Sequence, residues 1–128
     1  MLTILQAQDL AHYADILAAH GLTEAMVSEA KDGAAVIGHV VYRYTPEEAV
    51  IYDVQDGGAI DVLDGLVRAV LFKAEMRGIE GAVFRVNDEQ MLSRLRLLGF
   101  VKNDENKIDN IADIMESCKK CGHSPANT

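Results

Sequence analysis

Two sets of residues in this chain have types and spacings that do chemistry. The first is Cys118-Lys-Lys-Cys121-Gly-His123 near the C-terminal end. Cys-x-x-Cys-Gly resembles half of a zinc knuckle, and His123 offers a third donor. Tetrahedral zinc needs four ligands, so the fourth must come from elsewhere. Glu116 is badly placed on a helix, only two positions before Cys118, and a second chain in a homodimer is the better source. Cys-x-x-Cys is also a redox spacing, but the strand–helix context of such a site is absent. The plainer reading is an exposed tail over residues 118–128, and it is the favoured one.

The second is Asp53, which lies inside a run of Val, Ile and Tyr from Val50 to Val54. A partly buried carboxylate on a strand can act as general base for an amine. The competing reading is a strand-end carboxylate satisfied by the turn that follows. Other ionisable residues carry weaker signals. Asp61 and Asp64 open a helical segment and read as dipole complements, typically about 1 kcal/mol. His39 sits in a strand pattern, where hydrogen bonding or exposure is commoner than catalysis. His12 and His20 lie two helical turns apart, too far for joint metal ligation. Arg85, Arg94, Arg96 and Lys102 gather in sequence and offer a cationic surface to a nucleotide phosphate. A solvated helix face explains them more simply.

Composition limits the classes open to the chain. Its 128 residues suffice for one domain, taken as 1–117 with the tail beyond it. The 49% of hydrophobic residues can build a core without disulfides. Trp is absent, and three Phe and four Tyr are the only large aromatics, so the core must be aliphatic. The formal charge of −8 opposes binding to nucleic acid or to an anionic membrane. It suits a cationic partner such as an amine. No apolar run nears the roughly 18–20 residues of a membrane span. Met1-Leu-Thr-Ile-Leu-Gln6 lacks a basic leader pattern, so a cytoplasmic protein is expected.

The elements that must position these residues follow from periodicity. Leu2–Leu5 predicts a short strand, and Gln8–His20 a helix closed by Gly21. Met26–Lys31 and Ala35–Tyr44 predict a hairpin with Asp32-Gly33 as its turn. Gly38 marks a bulge or a close neighbour. Thr45-Pro46-Glu47-Glu48 predicts a turn, and Val50–Val54 a third meander strand. Asp61 to Gly78 has Leu63, Leu66, Val67, Val70, Leu71 and Ala74 on one helical face. Gly81–Val86 is a strand, and Asp88 caps a short helix ended by Gly99. Lys107-Ile-Asp109 predicts a short strand, with a helix from about Asn110 to Ser117. A meander followed by strand–helix–strand implies an α+β domain with a mixed, mostly antiparallel sheet.

Two motifs give this order a family likeness. Lys73-Ala-Glu-Met-Arg-Gly-Ile79 resembles a helix close of the form A-x-x-R-G before a strand. Asn87-Asp88 through Leu97-Leu-Gly-Phe100 is similar to N-x-x-A-x-x-L-Y-x-x-x-G-F. Together they resemble the GNAT family of N-acetyltransferases over roughly residues 26–102. The resemblance implies the acyl-CoA N-acyltransferase fold and acetyl-CoA as donor. It implies transfer to an amine: a small molecule, a protein N-terminus or a lysine. It places the cofactor along Val54, Gln55, Gly57, Gly58, Ala59 and Asp61, with Asn87 beside its pantetheine arm. A backbone amide on the Val50–Val54 strand would polarise the thioester carbonyl. Aligned on Arg77-Gly78, the family's Arg/Gln and two glycines of the phosphate loop fall at Gly58, Asp61 and Leu63. The family's tyrosine acid falls at Leu95. These departures raise an alternative: a catalytically degenerate member of the fold, acting as a binding or regulatory module.

Overall fold

The computed structural model describes residues 2–101 and 106–115. Lys102, Cys118, Cys121 and His123 lie outside the described residues, and so does the zinc expectation built on the last three.

The first strand, β1, is Leu2–Gln6. The helix expected over Gln8–His20 is shorter than its pattern suggests. Its start is a 3-10 turn, Ala11–Tyr13, and only Ala14–Ala19 (α1) is α-helical. The physical reason is local. Asp9 Oδ1 accepts from Ala11 N at 2.9 Å, and Leu10 O accepts from Tyr13 N at 2.9 Å. Both bonds tighten the chain and compete with helical pairing. Gly21, at φ 66°, ends the segment as expected.

The meander comprises β2 (Met26–Asp32), β3 (Ala35–Tyr44) and β4 (Glu48–Gln55). Its first turn is displaced one position from the Asp32-Gly33 expectation. Asp32 pairs with Ala35, so Gly33 and Ala34 are the turn residues, and Gly33 takes φ 65°. A glycine at the first central position replaces a turn in which both residues need positive φ. The second turn is held by Thr45, whose hydroxyl accepts from Glu48 N at 3.0 Å.

Helix α2 (Ile60–Met76) crosses over to β5 (Gly81–Phe84). Asp88 then caps α3 (Glu89–Leu97), accepting from Gln90 N and Met91 N. The chain returns as β6 (Lys107–Ile108), and residues 111–115 are helical. The six strands lie in sequence order. Among the described residues only β4 and β5 pair in parallel, as a crossover helix requires.

Val62, Leu63, Leu66, Val67, Val70, Leu71 and Ala74 of α2 are buried against one sheet face. Fully burying each larger side chain contributes about 1.5–3 kcal/mol. On the opposite face, Tyr13 packs with Val27 and Val41 beneath α1. Strand alternation separates the two sets. Val40 and Tyr42 join the α2 core while Val41 joins the α1 cluster.

A tight approach lies at Gly38, beside a β3 irregularity that leaves Ile37 without a register partner. A Cβ on Gly38 would lie 2.6 Å from Gln55 O and 2.9 Å from Val62 Cγ1. The absent side chain therefore lets β3 meet both the end of β4 and the first turn of α2. Gly38→Ala should destabilise the fold by about 1–3 kcal/mol through overpacking, read as a lower denaturant midpoint.

Candidate functional site

Strands β4 and β5 pair from Glu48↔Gly81 to Ile51↔Phe84. Arg85 N donates to Ile51 O at 2.8 Å, and beyond that bond the ladder ends. Residues 52–55 of β4 continue beside β3 alone. The two parallel strands thus part at Ile51: beyond it β4 leads to α2 and β5 to α3, with a gap in the ladder between them.

A bulge lies at the parting. Val41 pairs with Asp53 and Tyr42 with Ile51, so Tyr52 is the extra residue on β4. Ile51 and Val54 join the α2 core, whereas Tyr52 packs in the α1 cluster. Asp53 faces the α1 side as well. Its Oδ2 lies 2.8 Å from His39 Nε2, and the His39 ring meets Tyr13 edge-on at 4.9 Å. His39 thus answers the question left by Asp53. The carboxylate is not held by the following turn but by an imidazole on the neighbouring strand. The signal in sequence was the shared strand parity of His39 and Val41, usable only with the β3–β4 register known.

The cluster continues to Tyr13, whose hydroxyl donates to Glu29 Oε2. Burial, the hydrogen bond and the negative charge of Glu29 all raise the Tyr13 phenol well above its usual range. Tyr44 is raised too, first by burial and then by Tyr42, against a lowering by Arg77. His12 is exposed, and His20 stands instead against the Tyr52 ring at 5.4 Å.

The loop from β4 to α2 holds the residue that the sequence analysis missed. Asp56 is buried, with 6% exposure. Its Oδ1 accepts from Gly58 N at 2.9 Å. Its Oδ2 accepts from Arg94 of α3, at 2.9 Å from Nε and 2.6 Å from an Nη nitrogen. Gly57 and Gly58 take φ 63° and 86°, and a Cβ on Gly57 would lie 2.6 Å from Ile37 O. Ala59 is the N-cap of α2 and makes no side-chain cap bond. An Asp directly before a Gly-Gly step was the available signal, because such an Asp bonds the backbone two residues on.

The remaining expected residues scatter. Val54 is buried in the core, and Gln55 is exposed at the strand end. Asp61 is exposed and its Oδ1 accepts from Val62 N at 3.1 Å. Asp64 pairs with Arg68 one turn on, at 2.8 Å. Leu63 points into the core and not at the loop. Asn87 is exposed just before α3, and Leu95 is fully buried. Arg85 and Arg96 are exposed, whereas Arg94 turns to the loop. Among the described residues no group of three His, Cys, Asp or Glu can hold a metal, and no helix is long and apolar enough to cross a membrane.

No family model matches this sequence, and no curated protein does. Solved structures do match. One is the ribosomal-protein-alanine N-acetyltransferase of Brucella melitensis biovar Abortus 2308. It has 17% identity over 81% of this chain and 94% of that one, with a TM-score of 0.64. The chain has the acyl-CoA N-acyltransferase fold. The ribosomal-protein-S18-alanine N-acetyltransferase of Escherichia coli is also similar, at 11% identity, 84% and 88% coverage, and TM-score 0.60. A putative N-acetyltransferase of E. coli bound to coenzyme A matches at 13% identity, 86% and 98% coverage, and TM-score 0.55.

The parted strands and the glycine-rich approach to an uncapped helix fit the acyl-pantetheine part of a coenzyme A donor. The glycine-rich loop before α2 brings its own anion, Asp56. Removing its partner leaves that carboxylate buried and uncompensated. Arg94→Ala should therefore cost about 3–5 kcal/mol, whereas Asp64→Ala, which breaks an i,i+4 pair with neither partner buried, should cost about 0.3–0.5 kcal/mol, both read by urea unfolding.

The raised phenols set an alkaline limit. Their folded values exceed the unfolded value near 10, so their stabilisation is complete below that pH and lost above it. Melting temperature should fall above about pH 10, and less steeply in Tyr13→Phe/Tyr44→Phe.

Proposed function

We propose that this chain transfers an acetyl group from acetyl-CoA to an amine, with Asp53 and His39 as the proton-accepting pair. The observation that carries the reading is the parting of β4 and β5 at Ile51 directly beside that pair. Val54, Gln55, Gly57, Gly58 and Ala59 would hold the donor on one wall, and Asn87 on the other. When bound, the donor would supply a thioester whose acetyl carbon bonds the amine nitrogen while its C–S bond breaks, the coenzyme A sulfur leaving as thiolate and taking its proton from solvent.

The chain's own groups do the rest. The β4 end offers backbone donors toward the developing oxyanion. Asp53, oriented by His39, takes the proton that the nitrogen loses on forming its new bond. The acidic balance of the protein favours a cationic acceptor over nucleic acid. Protein alanine is named as acceptor for two of the similar structures. A peptide amine therefore stands beside small amines and lysine side chains as acceptor.

A second reading has its own support. Leu95 is buried and has no proton to give a leaving thiolate, and Asp56 occupies the loop. Both favour a non-catalytic binding module on the same fold.

Thiol release from acetyl-CoA, measured over a panel of small amines, lysine peptides and alanine-terminated peptides, separates the two. Acetyl transfer by the native protein should drop about 100-fold or more in kcat/KM in Asp53→Asn, with the far-UV spectrum unchanged. Equal rates in that variant remove Asp53 from the mechanism. Absence of release with every amine favours the binding module.

A further inference from the structure

Asp56 stands where a loop of this kind receives an anion. The amides at a glycine-rich strand-to-helix turn point outward, and the helix end adds positive potential. In this chain one of those amides, Gly58 N, is already bonded to the Asp56 carboxylate. The same carboxylate holds the Arg94 fork through its other oxygen. Its side chain is 7% exposed, so the charge is desolvated and paired, not left to water.

The pair also has a position. Asp56 follows β4, and Arg94 belongs to the helix that follows β5. The two strands part at Ile51, so the ion pair ties one wall of the gap to the other. Two more carboxylates, Asp61 and Asp64, stand in the first turns of α2. A diphosphate arriving here meets a buried carboxylate, a cation already engaged and the exposed carboxylate of Asp61, while Asp64 is paired with Arg68.

We propose that Asp56 is a donor-specificity residue. Its carboxylate fills the loop's anion position and holds Arg94, so that a coenzyme A donor is recognised by its pantetheine arm and not by its diphosphate. This rests on the acyltransferase reading above. Free Arg94 would be a bidentate phosphate ligand, and Asp56 keeps it from that role.

Calorimetric titration with coenzyme A and with pantetheine, which lacks the diphosphate and nucleoside, tests the idea on the full chain. The native protein should bind the two within about tenfold of each other, because the phosphates add little. Asp56→Ala frees both Gly58 N and Arg94. It should tighten coenzyme A by about tenfold or more and leave pantetheine within about threefold. Asp56→Asn keeps the bond to Gly58 N and the side-chain volume, so it decides the matter where the alanine variant does not fold. It should shift coenzyme A in the same direction by a smaller factor. In Asp56→Ala/Arg94→Leu the gain should shrink, since the released cation is gone.

Native protein that prefers coenzyme A by more than about 100-fold, with no gain in either Asp56 variant, overturns the inference and leaves the acyltransferase reading standing. Failure of every protein to bind either ligand overturns both. An equal gain for pantetheine assigns the effect to general loosening of the gap and also overturns the specificity role.

Discussion

Burial of one face of α2 is the constraint from which the rest follows. Seven buried side chains fix this helix across the meander. A helix laid there must deliver the chain to a strand parallel to β4, and β5 is that strand. The two strands have different obligations at their far ends. β4 must reach the α2 entry loop, closed by the tight contact at Gly38, while β5 must reach the cap of α3. They cannot stay paired while doing both. The gap is therefore a product of packing, made before any ligand is considered.

Charge is then placed around that gap in two distinct ways. On the α1 side, Asp53 is partly exposed and shares its pairing with His39. That arrangement leaves a titratable pair in reach of solvent. On the loop side, Asp56 is buried and fully engaged. The same residue type thus stands in reach of solvent in one place and desolvated in the other, and strand position with partner identity decides which.

The sequence was most readable where one physical rule acted alone. Leu63 to Ala74 recur at helical spacing, and nothing in the fold opposes that pattern. Asp88 caps α3 because its carboxylate is adjacent to the amides it serves. Reading failed where a local bond competed with periodicity. Asp9 turned the start of the first helix into a 3-10 segment, and Gly33 moved the hairpin turn by one residue. It failed again wherever partners are distant in sequence. His39 and Asp53 meet only through strand register, and Asp56 and Arg94 only through the crossover. Arg94 carried a surface reading because its spacing matches a solvated face; nothing near it in sequence names the carboxylate that draws it inward. Residue by residue, the fold was legible and the pairing of charges was not.

The bulge at Tyr52 makes β4 a counting device. Before it, Ile51 faces α2; after it, Val54 does so again, with both Tyr52 and Asp53 between them on the opposite side. An unbulged strand would admit only one residue in that interval. Loss of a residue at position 52 would straighten β4 and keep Asp53 and Val54 on their present faces. Loss of residue 53 would straighten the strand as well, but it would remove the carboxylate. Position 52 is therefore the place where β4 can lose a residue and keep both Val54 in the core and the Asp53–His39 contact on its side of the sheet.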